Sequence, residues 1–172
     1  MAIPEVEFRT YDISLSEPAD RTTAGSIIDI NNPLDFGIVN NTGSNANAGP
    51  RVCWFRAKDL KGNASISNMK FFLSQNSIFE GTGNEFYLDI TSVWTQNKSV
   101  GEVSSGNPGI CPQSEPSSNL QRMNGGAITG TGHNDTSQYI YLAININKSE
   151  PVGSNKGLNG GFKFCCKFDY SA

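Results

Sequence analysis

The stretch FKFCCKFDY, from Phe162 to Tyr170, decides the fold class. Its residues alternate strictly. Phe162, Phe164, Cys166, Phe168 and Tyr170 fall on one side of an extended chain, and Lys163, Cys165, Lys167 and Asp169 on the other. A helix would scatter these aromatics around its circumference, whereas a strand collects them on one face. The lysines therefore read as a solvated outer face, and Cys166 reads as a core residue with Cys165 towards the surface.

Upstream, YIYLAININK shows the same period. Ile140, Leu142, Ile144 and Ile146 share one face, and Tyr139, Tyr141, Ala143 and Asn145 the other. The intervening SEPVGSNKGLNGG is rich in Pro and Gly and reads as a hairpin loop. Glu85 to Trp94 places Phe86, Leu88 and Ile90 opposite Tyr87, Asp89 and Thr91. Further strands are expected at Val6–Ser14, Ser26–Ile30, Asp35–Val39, Arg51–Ala57 and Asn68–Gln75, with Asn40–Pro50 a loop and turns at DLKGN and EGTGN. The expectation is an all-β chain of about eight strands with no amphipathic helix. A two-sheet β-sandwich, Ig-like or jelly-roll, suits that pattern.

A chain of 172 residues fits one domain spanning 1–172, with an N-terminal strand or arm over 1–24 and a long loop insertion over 96–137. Gln96–Ser137 is rich in Ser, Gly, Asn and Pro, and a loop of that length inside a domain points to function. Hydrophobic residues make up 37% and charged residues 17%, a deficit filled by turn formers such as the 18 glycines.

The net charge is −3 and basic residues form no stripe, which argues against nucleic acid. No apolar run approaches a membrane span. The opening MAIPEVEFRTYDIS lacks a basic region followed by an apolar one, so export through a Sec signal is not expected. The five N-x-S/T sequons, at Asn40, Asn63, Asn97, Asn134 and Asn147, are then what so much Asn, Ser and Thr yields by chance.

No constellation of residues spells out a reaction. His133, the single histidine, sits in GGAITGTGHNDTS, where nothing rigid orients it, and reads as a surface-loop side chain. Cys53, Cys111, Cys165 and Cys166 lack paired zinc spacing. Adjacent strand cysteines point apart, so the conceivable bridge is long-range, for instance Cys53 to Cys166. Calcium at Asn134 and Asp135 is chemically feasible, but the expectation is no cofactor and no metal.

Tyr139, Tyr141, Trp94 and His133 form the candidate contact surface. The two tyrosines lie opposite the Ile/Leu stripe and either stand exposed, for a protein or a sugar, or meet a second layer. The expected function is non-enzymatic. A structural subunit of a virion or similar extracellular assembly would meet copies of itself or a major structural protein. The alternative is a carbohydrate-binding or adhesin module that takes a glycan.

Overall fold

The computed structural model describes residues 2–75, 83–150 and 162–172. It is 43% strand and 5% helix, arranged as two antiparallel sheets, so the chain is all-β. The strands are β1 (Glu5–Tyr11), β2 (Ser26–Ile28), β3 (Ala46–Asp59), β4 (Ser65–Gln75), β5 (Glu85–Thr91), β6 (Pro108–Ile110), β7 (Tyr139–Ile146) and β8 (Lys163–Ser171). A five-residue helix α1 (Val100–Ser104) and a 3-10 turn at His133–Asp135 interrupt the long polar stretch.

One sheet runs β2-β1-β3-β7-β5-β6 and the other is the pair β4-β8. Side-chain period explains how they meet. Cys53, Phe55 and Ala57 from β3, Phe86, Leu88 and Ile90 from β5, and Ile140, Leu142 and Ile144 from β7 point to one side of the larger sheet. From the smaller sheet come Ile66, Met69, Phe71 and Leu73 of β4, with Phe162, Phe164, Cys166, Phe168 and Tyr170 packing beside them. Edge-on aromatic contacts stitch the layers: Phe8 to Phe71 at 6.0 Å and Phe86 to Phe162 at 4.9 Å. Each fully buried side chain of this kind contributes about 1.5–3 kcal/mol.

The aromatic side of the last strand thus faces the Ile140–Ile146 stripe, as its alternation predicts. The hairpin expected between those strands is corrected. β7 pairs with β3 and β5, while β8 pairs with β4 in the other sheet, so their connection crosses between sheets. Most of SEPVGSNKGLNGG and of EGTGN lies outside the described residues.

Three further expectations change. β3 begins at Ala46, inside the expected loop Asn40–Pro50, because Ala46–Ala48 pair with Ile144–Ile146. Asp35–Val39 forms no strand, although Phe36 packs on the core and meets Phe162 at 5.5 Å. The 96–137 stretch packs on β4, where Ile128 bridges Ile66 and Leu120 bridges Met69, and folds on itself where Arg122 bridges Ser137.

All four cysteines are free thiols. Burial pushes Cys111 and Cys166 up to about 12, and Cys53, fully enclosed, shifts in the same direction. The enclosed Cys53 and Cys111 are inert as nucleophiles in the folded chain, whereas Cys166 keeps partial exposure.

Candidate functional site

The opposite face of the larger sheet carries Val52 and Trp54 from β3, Tyr87 and Asp89 from β5, and Tyr139, Tyr141 and Ala143 from β7. Of the two alternatives for the tyrosine pair, exposure or a second layer, the structure shows the covered one. Tyr139, Tyr141 and Trp54 are each 0% exposed. Their cover is a layer of irregular chain instead of a third sheet: residues 12–24 of the arm, Trp94, α1 through Val103, and Met123. Strand β7 is therefore buried on both faces from Tyr139 to Ile144.

Arg21 is the centre of this cover. It is 4% exposed, and each part of it is engaged. Its Nε donates to Thr136 Oγ1 at 2.8 Å, Nη1 to Tyr139 Oη at 3.2 Å and Nη2 to the His133 carbonyl at 3.0 Å. Its backbone N–H donates to His133 Nδ1 at 2.9 Å, and its carbonyl accepts from Trp54 Nε1 at 2.8 Å. The Tyr139 hydroxyl donates in turn to Glu17 Oε1 at 2.7 Å, and the guanidinium lies 5.6 Å from the Tyr139 ring centre. Desolvation by burial holds the Tyr139 phenol above its ordinary range.

His133 is consequently no free loop side chain. It is half-buried, and its imidazole nitrogen and carbonyl together seat Arg21, with Asp20 Oδ1 at 3.9 Å from Nδ1. An Nδ1 that accepts a backbone N–H carries no proton, so the proton of the neutral ring is on Nε2.

A second anchor holds the other end of the layer. Lys98 Nζ pairs with Asp89 Oδ2 at 2.6 Å and sits 4.7 Å from the Tyr141 ring centre. The Tyr141 hydroxyl accepts from the Thr95 N–H at 2.8 Å, and burial pushes this phenol up to about 12. Asp89 Oδ1 also accepts from the Asn107 N–H at 2.8 Å. Trp94 fits between the tyrosines, 5.1 Å from Tyr139 and 6.2 Å from Tyr141, and Tyr11 stands edge-on to it at 5.9 Å. The Trp94 Nε1 proton has no hydrogen-bond partner among the described residues.

Of the four candidate residues, the structure brings together all of them, but in the interior layer. Tyr139 and Tyr141 are enclosed, and Trp94 and His133 keep partial exposure. Arg21, Glu17 and Lys98 are the members that sequence reading missed. Arg21 sits in the polar run EPADRTTAG, where an arginine looks solvated, and no local pattern marks its partner Tyr139. Helix α1 did carry a signal: Ser99 and Glu102 form a capping box, the S-x-x-E spacing in SVGE.

No family model, curated protein or solved structure matches the chain.

The remaining polar clusters are structural. Asp135, considered for calcium, has Oδ1 at 3.4 Å from Arg122 Nη1 and 3.5 Å from Thr129 Oγ1. No group of three or more His, Cys, Asp or Glu side chains suited to a metal occurs among the described residues. Among the described residues no helix is long and apolar enough to cross a membrane. Outside the layer, Glu115 is gripped by Lys70 at 2.9 Å and by Lys167, and these partners hold its carboxyl down at about 2.

Proposed function

We propose that the protein is a non-enzymatic structural subunit that works through protein–protein contacts with copies of itself or a major structural protein, and that the assembly is a virion. The scaffold in this reading is a β-sandwich of the jelly-roll or Ig-like kind, with the arm and the long insertion added to one face. One observation carries the proposal. Large apolar side chains are exposed in the first 38 residues at Ile3 (70%), Leu15, Ile27, Ile30 (67%) and Ile38, leaving Val93 and Ile110 as the other large apolar residues exposed among the described ones. Single exposed apolar residues mean little, but their concentration in this one stretch of sequence, edge strand β2 included, supports a segment that meets a partner. Isoleucine suits burial against protein better than contact with a sugar ring.

The rival reading, a carbohydrate-binding or adhesin module, would form its site from the 96–137 stretch and the tyrosines, of which Tyr139 and Tyr141 are buried. The deciding experiment is mass spectrometry of purified particles from the producing culture. The chain is expected among the structural proteins of the particle. Its absence there, together with binding on a glycan array, would overturn the proposal in favour of the rival.

A further inference from the structure

The two sheets end differently. The larger sheet finishes at both edges in three-residue strands, β2 and β6, which present little backbone to pair with. The smaller sheet finishes in β8, nine residues long. Among the described residues, β8 pairs with β4 on one side and with no strand on the other. Its core-facing side chains Phe162, Phe164, Cys166, Phe168 and Tyr170 stay half-buried, whereas Phe71 and Leu73 of β4 are 1% exposed. An open groove crosses the β4–β8 pair, lined by Lys70 and Glu115 as well as by Cys166, Phe168, Tyr170 and exposed Ile3. A strand with a vacant long edge and incompletely covered aromatics is the arrangement that accepts another strand.

We infer that β8 is an interface strand that pairs antiparallel with β8 of a second copy, about a two-fold axis through Cys166. The inference rests on the assembly reading above and names its contact. Residues directly opposite in an antiparallel pair point to the same face, so a symmetric pair is centred on a residue. Centring on Cys166 sets Lys163 opposite Asp169 of the other copy, and by symmetry does so twice. It also sets Phe164 against Phe168, and Phe162 against Tyr170. Cross-strand pairs of opposite charge and of aromatics are the stabilising ones.

Neighbouring registers fail on charge or on overlap. Centring on Cys165 sets Lys163 against Lys167, and centring on Lys167 sets that lysine against its own copy. Centring on Phe168 takes Lys167 to Asp169, but Lys167 is already held by Glu115 and Phe162 and Lys163 are left unpaired. In the Cys166 register Lys163 is available, since it is exposed and has no ion-pair partner among the described residues. Asp169 is exposed as well, and it accepts from the neutral Asn68 amide at 2.8 Å.

The register makes a covalent signature available. Opposed Cα atoms in an antiparallel pair lie about 4.5–5.5 Å apart, within the range a disulfide spans. Two Cys166 thiols facing each other are therefore joined by a thiol oxidant such as diamide, which takes up the two protons and two electrons released as the S–S bond forms.

Sedimentation velocity of the purified chain, with and without diamide, tests the pairing. A dimer is expected. Cys165→Ser should still cross-link under diamide and Cys166→Ser should not. Asp169→Lys should weaken association at least about tenfold, and adding Lys163→Asp to it should restore it, with circular dichroism confirming the fold of each variant. Because Cys166 packs on the core, the charge swap tests the register independently of that residue. Self-association that ignores the charge reversal, or a cross-link that runs through Cys165, would overturn the β8 register while leaving the assembly reading standing. A chain that stays monomeric at high concentration and is missing from particles would remove both.

Discussion

Arg21 shows how much one side chain can organise. Removing it leaves the Tyr139 and Thr136 hydroxyls without a donor in an enclosed layer, and the His133 carbonyl with only the Thr136 hydroxyl at 3.3 Å. Arg21→Met should therefore cost roughly 1–3 kcal/mol in urea unfolding, and should open residues 12–25 to limited proteolysis before the sheets unfold. Trp94 offers the contrast. Its indole proton has no partner among the described residues, so Trp94→Phe forfeits packing but no hydrogen bond and should cost less than Tyr139→Ala. Glu115 gives a pH signature. Its carboxyl sits below the ordinary value in the folded chain, so its contribution is present above about pH 4.5 and fades as the pH falls towards 2. Melting temperatures across that window should fall for the native chain and fall less for Glu115→Gln. The variant should start lower near neutrality, because Lys70 and Lys167 are left facing each other without an acid between them.

Among the elements, the strands were legible wherever one face is apolar and the other polar, as in β5 and β8. What alternation does not carry is which sheet a strand joins, and that is why the β7–β8 hairpin was expected and a crossing between sheets is found. Tyr139 and Tyr141 stayed open between exposure and cover for a related reason. Period two separates two faces, but it does not say that polar segments such as 12–24 and 94–104 will return to cover the second one. Helix α1 falls inside the expected long loop, its S-x-x-E capping signal unread, and Ser99→Ala should cost about 1 kcal/mol, measured by chemical denaturation. The strand pair β1–β2 depends on Gly25. It takes φ +70°, and a Cβ there would stand 1.9 Å from the Thr10 carbonyl oxygen. Gly25→Ala adds roughly 1–2 kcal/mol of left-handed strain to that clash, and should detach β2 in an amide-exchange profile while β3, β5 and β7 keep their protection.

For the molecule as a whole, stability is distributed from the middle of the larger sheet outwards. β7 is enclosed above and below and paired on both edges, so its amides should exchange slowest, with those of β3 and β5 next and β8 faster. Proton exchange followed by mass spectrometry reads this order directly. The modest hydrophobic content suffices because the central strands bury both faces, which the composition alone did not disclose. The order of synthesis adds a consequence to the seat of Arg21. The arm emerges before its seat, since it settles on Thr136 and Tyr139, which lie 115 and 118 positions later. A growing chain must therefore carry the arm unplaced until Tyr139 has left the ribosome, and the arm's apolar residues stay open to other molecules throughout the wait.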